Sequence, residues 1–365
     1  MNWIGNNLKQ LSNSRNIPIS KLAERLGVSR QTVYDWIEGQ VPKGTHLLAL
    51  CRELASEPAA FFEVGTPNTF VPAHRTRRGA RVNPARQKLA IELADEYTVL
   101  CEGVRQPVVQ SVVRMADGET ISPLAESFRN MVGLANSADP MDYEHAFSLL
   151  DKLGVCVIFR TFPSDLKDYA FYTRIAGHRV VFVNLANNVL DLIFPMLHEA
   201  VHAVRDDKEL LVESYDEKEE EFCDKVASAA QFPEKYVKDA YVALRGQPIA
   251  NKVTLLKSLA SMHHHAVYGL VKAIESVHGN MDIPVRSLHG ADGNLRNAYP
   301  TLSEVLYKGV DNPVNYLDRL GVLSPLLKTV LKENADAVSA RKLTELLELP
   351  SMLDAQELRS LLKRD

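Results

Sequence analysis

The chain has 365 residues, of which 46% are hydrophobic and 24% are charged, and its formal net charge is −4. This composition excludes a disordered tail, and the length predicts two or three domains because one hydrophobic core seldom serves so long a chain. The negative balance excludes attraction of DNA by the average field, so any DNA contact requires a local basic surface.

The first 64 residues are predicted to form a string of short helices. The apolar spacing places one helix around Leu8 and Leu11, a second that stops at Gly27, a third that ends at Gly39, and a fourth around Leu47 to Leu54. A glycine between the second and third helices permits a tight turn, which is the layout of a helix-turn-helix.

The third helix is the candidate DNA-reading element. In a helix-turn-helix the second of the two helices lies in the major groove, and its first residues meet base edges. Arginine pairs with guanine and glutamine with adenine, so the residue types suit this task. A plain helical hairpin that binds protein remains the alternative. The candidate DNA-binding residues are Ser29, Arg30, Gln31, Tyr34 and Asp35.

The stretch LAERLGVSRQTVYDWIEG resembles the XRE family of repressor domains, of the lambda and Cro type. The family pattern commonly reads LAxxLGVSxxTVSxWExG. This chain departs from it at Ile37, where the family usually has glutamate. The resemblance implies a five-helix, lambda repressor-like domain that binds a double-stranded DNA operator as a homodimer.

Residues 65–84 have the composition of a linker. They are rich in proline, glycine and arginine, and with Arg86 they form the main basic concentration of the chain. One interpretation is contact with DNA phosphates. The other is a solvated linker that proteases can reach.

The second part of the chain contains segments with helical periodicity and segments typical of strands. Residues 85–102 predict a long helix, and further helical pattern runs to about residue 153. The β-branched and aromatic runs at 154–159 and 179–183 predict two strands of a small sheet, joined by a loop. Helices are predicted at 188–204 and 216–230, and the remainder to residue 365 is helical with frequent proline and glycine.

The first of these helices contains the motif His198-Glu199-Ala200-Val201-His202 within FPMLHEAVHAV. Residues four apart lie on one face of a helix, so both imidazoles can bind one Zn²⁺ ion. Glu199 lies beside them and can serve as the general base that takes a proton from water.

A carboxylate on the following helix can complete the three protein ligands of a catalytic zinc site. Glu220 is the candidate, because Asp224 lies one turn later and can accept a hydrogen bond from the far nitrogen of a ligating histidine. The neighbouring Glu217, Glu219 and Glu221 fit a solvated acidic face. Cys223 fits simple core packing, and the alternative is a thiolate that plugs the open zinc position.

The motif HExxH, followed by EEFCDKVASAAQFP, resembles the ImmA/IrrE family of metallopeptidases over residues 85–275. The resemblance implies zinc bound by His198, His202 and Glu220, a catalytic Glu199, and a second helix-turn-helix-like module around residues 263–265. Members cleave repressor proteins, often after DNA damage or in response to foreign DNA. The chain departs from the family at Cys223 and Asp224, where alanine and asparagine are common.

Two functions remain open. The first is a regulator whose zinc metallopeptidase domain cleaves itself or a partner repressor in a stress, prophage or defence response. The second is a repressor or antitoxin whose metallopeptidase-like domain senses a ligand or holds a cognate toxin without cutting. Glu199 favours the first, since a non-catalytic metal site needs no base. Tyr169, Tyr172 and His178 are candidates for the group that stabilises the oxyanion.

These observations predict a mainly α chain with an α+β core. The expected domains are the XRE domain at 1–64, the basic linker at 65–84, a zincin-like peptidase domain with a small sheet at 85–275, and a helical C-terminal region of unknown role at 276–365. Four scattered cysteines predict free thiols. The absence of a long apolar run predicts a cytoplasmic chain without membrane contact.

Overall fold

A computed structural model describes residues 5–15, 17–54, 56, 61, 69–70, 84–105, 121–205, 217–307, 313–334 and 336–363. The chain divides into two compact units, Met1–Asn68 and Thr69–Asp365. No helix among the described residues is long and apolar enough to cross a membrane. All four cysteines are free, as the sequence predicted.

The first unit contains four α-helices among its described residues, namely α1 (Gly5–Ser14), α2 (Ile19–Leu26), α3 (Arg30–Ile37) and α4 (Gly44–Glu53). They pack around a small core to which Leu22, Val33 and Trp36 contribute. Arg25 on α2 pairs with Glu53 on α4 at 3.1 Å. The fifth helix of the expected five-helix domain falls on the chain after α4, which lies mostly outside the described residues.

The second unit is mainly helical and has one small sheet, as the sequence predicted. Its elements before the zinc motif are β1 (Thr69–Phe70), α5 (Pro84–Asp95), α6 (Thr98–Cys101), α7 (Ile121–Met131), α8 (Tyr143–Lys152), β2 (Cys156–Arg160), β3 (Ala170–Ile175) and β4 (His178–Asn184). The predicted helix at 85–102 is therefore two helices, α5 and α6.

Among the described residues, the elements from the HExxH motif onward are helices. They are α9 (Val189–Arg205), α10 (Glu217–Gln231), α11 (Glu234–Leu244), α12 (Ile249–Met262), α13 (Val267–His278), α14 (Val285–Arg296), α15 (Leu302–Tyr307), α16 (Pro313–Leu323), α17 (Pro325–Glu333), α18 (Ala340–Leu346) and α19 (Met352–Leu362).

The sheet has the strand order β1-β3-β4-β2. Strand β4 runs parallel to β2 and antiparallel to β3, and β1 adds a short antiparallel pairing to β3. The sequence predicted β2 and β4 but placed a loop where β3 lies. Strands β3 and β4 form a hairpin whose two turn residues, Ala176 and Gly177, have φ values of 49° and 83°. Positive φ at both positions is what a type I′ turn, one of the two common two-residue hairpin turns, requires.

The helices of the second unit belong to two cores. The larger core joins the sheet with α5–α10 and with α15–α19 near the C-terminus. The smaller core is built from α11–α14, with Leu190 from the start of α9. Helices of the region predicted to have an unknown role therefore pack in the same core as the sheet.

The turn between α12 and α13 repeats the backbone path of the turn between α2 and α3. Gly27 and His264 both have positive φ (65° and 55°), and each lies three residues before the next helix. In each turn the residue after the one with positive φ donates its backbone N–H to a carbonyl five residues earlier. Val28 donates to Ala23 at 3.0 Å, and His265 donates to Ala260 at 3.1 Å. The turns after α2 and α12 thus share the same type of C-terminal helix cap.

Candidate metal centre and nucleic-acid interface

Helices α9 and α10 lie antiparallel and bring the predicted metal ligands together. His198 and His202 lie one turn apart on α9, and Glu220 and Asp224 lie one turn apart on α10. His198 contacts Asp224, whereas His202, one turn later, contacts Glu220, which lies one turn earlier. The apolar faces of both helices are buried in the larger core, so the polar pairs face each other.

Two imidazole nitrogens and the two carboxylate oxygens of Glu220 lie close together. The Nε2 atoms of His198 and His202 are 3.1 Å apart. Oxygens of Glu220 lie 3.3 Å from Nε2 of His198 and 3.2 Å from Nε2 of His202. In a tetrahedral zinc site with bonds of about 2.0–2.1 Å, neighbouring ligand atoms are roughly 3.3 Å apart. The spacing of this set therefore fits a zinc ion.

Glu220 shows the strongest sign of a missing partner. Its side chain is buried, and its Oε2 atom lies 3.3 Å from Nε2 of His198 but makes no hydrogen bond to any described residue. A buried carboxylate oxygen without a hydrogen bond is costly, and a cation would relieve that cost. Burial disfavours the charged form of Glu220, but the two facing imidazoles lower its pKa well below the usual range. The residue is thus held as an anion, the form that binds metal.

Cys223 offers a competing donor. Ligand atoms of His198, His202 and Cys223 all lie within 4.8 Å of one another, which is weakly compatible with metal binding. The sulfur, however, lies 3.7 Å from Nδ1 of His202, whereas the Nε2 atom of that ring faces Glu220. The two ring nitrogens point in different directions, so we favour the set that contains Glu220.

Asp224 contacts the ring nitrogen of His198 that does not face Glu220. Its Oδ1 atom lies 3.0 Å from Nδ1 of His198, while Nε2 of the same ring faces Glu220. A proton on Nδ1 donated to this carboxylate leaves Nε2 as the free lone pair. This geometry agrees with the supporting role predicted for Asp224.

Glu199 lies beside the cluster and is anchored to the sheet. Its Oε2 atom accepts a hydrogen bond of 2.8 Å from the backbone N–H of Tyr172 on β3. Burial raises the pKa of Glu199 to about 8, and the nearby Glu220 adds to this effect while His202 opposes it. A carboxyl group with such a pKa can exchange protons near neutral pH.

Asp168 is a carboxylate that the sequence reasoning missed. It is buried just before β3, and both of its oxygens lack a hydrogen bond among the described residues. Burial raises its pKa to about 6, with Arg86 opposing, and its charge also raises the pKa of Glu199. No motif marks Asp168, because its place in the site depends on the hairpin that the sequence did not predict.

The three oxyanion candidates have different surroundings. The imidazole of His178 is buried and lies 3.1 Å from the backbone carbonyl of Val104. The ring of Tyr172 is buried, and its backbone N–H is already bonded to Glu199. Tyr169 keeps part of its surface exposed. Of the three, Tyr169 is the one that is not fully buried.

The first unit presents the predicted DNA-reading residues at the start of α3. Ser29 caps the helix, and its Oγ atom accepts from the backbone N–H of Thr32 at 3.0 Å. Arg30, Gln31 and Tyr34 are exposed, and the Gln31 amide donates to Asp35 at 2.9 Å. Ser29 thus shapes the helix end. The linker arginines lie outside the described residues, apart from Arg86 on α5.

The region for which the resemblance implies a second helix-turn-helix-like module contains α13, and α13 starts differently from α3. The carboxylate of Asp292 accepts from the backbone N–H groups of Val267 and Tyr268, at 2.6 and 3.1 Å. A DNA phosphate that approached the N-terminus of α13 would meet this negative charge, whereas α3 begins with a neutral serine. The three histidines of its turn have separate surroundings: His265 is buried against Tyr236, and His264 lies beside Tyr299.

Comparison with known proteins identifies one part of the chain. Residues 8–61 match a family model described as a helix-turn-helix. The match supports a DNA-binding transcription regulator and agrees with the resemblance of the first unit to XRE-type domains. Comparisons with curated proteins and with solved structures gave no match.

Proposed function

We propose that the chain is a DNA-binding regulator whose second unit is a zinc-dependent metallopeptidase of the ImmA/IrrE type. The observation that carries this proposal is the convergence of two imidazole nitrogens and one buried carboxylate at about zinc-ligand spacing, with Glu199 beside them. Its substrate is the chain itself or a partner repressor, cut in a stress, prophage or defence response.

The described residues divide the chemistry among them. His198, His202 and Glu220 would hold the zinc ion, which when bound polarises the scissile carbonyl as a Lewis acid. Glu199 keeps its Oε2 atom on the N–H of Tyr172, so its Oε1 atom can take a proton from the attacking water and pass it to the leaving amine. Asp224 keeps the proton of His198 on Nδ1.

The DNA-binding half of the proposal rests on α3. Its exposed Arg30 and Gln31 suit base contacts, and the N-terminal cap of Asp292 on α13 makes that helix a poorer DNA reader. XRE-type domains read two half-sites as dimers, so we propose a homodimer on a double-stranded operator.

The burial of Glu199 favours a second candidate function. Burial raises the pKa of Glu199 to about 8, and a carboxyl group that is protonated at neutral pH cannot act as a base. In that state the second unit would serve a repressor or antitoxin as a sensor or as the surface that holds a cognate toxin.

New protein N-termini distinguish the two functions. Cells with the wild-type chain and cells with Glu199→Gln are compared by mass spectrometry after DNA damage, with Glu221→Gln as a control at an exposed carboxylate on α10. We expect termini that appear with wild type and Glu221→Gln but vanish with Glu199→Gln. Identical profiles in all three strains would favour the sensor or toxin-holding function.

Operator binding tests the DNA-binding half of the proposal. We expect Arg30→Ala to weaken binding to a selected operator by about 1–3 kcal/mol, the range for one base-reading side chain. Lys88→Ala, at an exposed residue of α5, is the control that keeps wild-type affinity. If wild type and Arg30→Ala bind the operator with equal affinity, Arg30 does not contact a base.

A further inference from the structure

The two histidines of the candidate metal centre are each backed by a residue of α10. His198 has Asp224 at its Nδ1 atom, 3.0 Å away, and His202 has the sulfur of Cys223 at its Nδ1 atom, 3.7 Å away. Cys223 and Asp224 are adjacent in the chain, so their side chains leave α10 about 100° apart and reach imidazoles one turn apart on α9.

The sulfur of Cys223 is itself held by a chain of polar contacts. Cys223 is fully buried, and its thiol points at Oε1 of Glu219, 3.9 Å away. Glu219 is bound in turn by the guanidinium of Arg205, with Nη2 at 2.7 Å from Oε2. Arg205 also stacks over the ring of Phe222 at 4.6 Å. A series of contacts thus connects α9 and α10, from His202 through Cys223 and Glu219 to Arg205. It does not involve Glu220.

This arrangement places the sulfur of Cys223 at Nδ1 of His202, whereas the candidate metal position is at Nε2 of that ring. An imidazole that binds a cation through Nε2 carries its proton on Nδ1, and that proton needs an acceptor. The sulfur is the acceptor that lies there, and its own S–H can donate to Glu219. A plug in the open zinc position would instead require the sulfur near Nε2.

We propose that Cys223 is a positioning residue that orients His202 and fixes its proton on Nδ1, with Glu219 and Arg205 holding the thiol in place. The inference rests on the proposed metal site and goes beyond it, because it assigns Cys223 neither to the ligand set nor to inert packing.

Zinc affinity of the full-length protein, measured by competition with a chromogenic chelator, tests the proposal. We expect Cys223→Ala to weaken zinc binding by about 10-fold, the lower end of the range for loss of a group that backs a ligating histidine. Cys223→Ser, which keeps a hydrogen-bonding side chain, should recover most of this loss. Cys101→Ala removes another buried thiol and should bind zinc as wild type does.

Cobalt substitution supplies a readout that a merely structural role would not change. We expect the wild-type Co²⁺ protein to lack a sulfur-to-cobalt charge-transfer band, and its visible spectrum to change in Cys223→Ala but not in Cys101→Ala. If Cys223→Ala fails to fold, Glu219→Gln replaces it and should alter the visible spectrum and weaken zinc binding by a smaller factor.

Three results would overturn the inference, and they have different meanings. The first is an unchanged zinc affinity and an unchanged visible spectrum in Cys223→Ala, or in Glu219→Gln if that variant replaces it. This result would mean that the thiol only packs in the core. A charge-transfer band that vanishes in Cys223→Ala would make it a ligand. A wild-type protein that binds neither zinc nor cobalt would overturn the proposed metal site itself, and the inference with it.

Discussion

In the candidate metal centre, the pKa of His202 is shifted by its surroundings. Burial opposes a charge on His202, but Cys223, Glu220 and Glu199 outweigh it and hold the pKa of His202 well above its usual range. The pKa of Glu220 is held low by the same contacts. The metal-free site therefore contains an imidazolium paired with a carboxylate at neutral pH, and zinc has to displace the proton of His202.

This proton gives the zinc affinity a defined pH dependence. A raised pKa means that the imidazolium persists through neutral pH, so we expect zinc affinity to increase as pH rises from about 6 to about 8. One displaced proton corresponds to about tenfold per pH unit. Chelator competition at several pH values measures the slope, and Glu221→Gln, at an exposed carboxylate of α10, should keep it. An affinity that is flat across this range would contradict the charge assignment.

At the residue scale, the candidate ligands and Asp224 were predictable, whereas the contacts of Glu199 were not. His198 and His202, like Glu220 and Asp224, stand four residues apart, a spacing that shows in the sequence because helices repeat every 3.6 residues. The N–H of Tyr172 and the carboxylate of Asp168 reach Glu199 through the sheet, and no local spacing reports such a contact.

At the scale of elements, the missed strand has a specific cause. The two-residue turn of the β3–β4 hairpin is Ala176-Gly177, whereas the usual signals are Asn-Gly and Asp-Gly, which tolerate positive φ at both positions. Alanine seldom adopts that conformation, so this dipeptide does not mark a hairpin. Helices α9 and α10 were predicted to within about two residues, because their apolar pattern is long and regular.

Packing of α1 against α3 makes the first unit sensitive to one methyl group. A Cβ atom at Gly5 would lie 2.2 Å from the carbonyl oxygen of Ile37 and 2.3 Å from that of Trp36. Both are backbone atoms that cannot move aside easily. We expect Gly5→Ala to destabilise this unit by about 1–3 kcal/mol, the usual cost of overpacking.

Denaturant unfolding followed by tryptophan fluorescence measures this effect, because both tryptophans of the chain, Trp3 and Trp36, belong to the first unit. Gly44→Ala is the matched control, since a Cβ atom at Gly44 meets nothing within 4 Å. Equal midpoints for the two variants would mean that α1 and α3 do not pack this closely.

At the scale of the whole molecule, the C-terminal helices complete the core of the second unit. Strand β2 lies at one edge of the sheet, and the Oγ atom of Ser324 accepts from the N–H of Val157 and donates to its carbonyl, at 3.1 and 2.8 Å. A side chain from near the C-terminus thus occupies the place of a neighbouring strand at this point. The sequence could not show this, because 167 residues separate the two partners.

Loss of the Ser324 hydroxyl should therefore destabilise the second unit. Ser324→Ala leaves a buried N–H and a buried carbonyl without partners, so we expect a loss of about 1–3 kcal/mol or more in the free energy of unfolding, followed by far-ultraviolet circular dichroism. Ser360→Ala, at an exposed serine of α19, should leave the unfolding curve unchanged. A neutral Ser324→Ala would mean that another group covers the edge of β2.

The zinc content of the purified full-length protein tests the central claim most directly. We expect wild type and Glu199→Gln to retain one equivalent of zinc through gel filtration, because Glu199 is not a ligand in the proposed site. Glu220→Gln should lose it, because the amide lacks the charge that the buried site provides for the cation. A wild-type protein without zinc, or a Glu220→Gln protein that retains a full equivalent, would contradict the account.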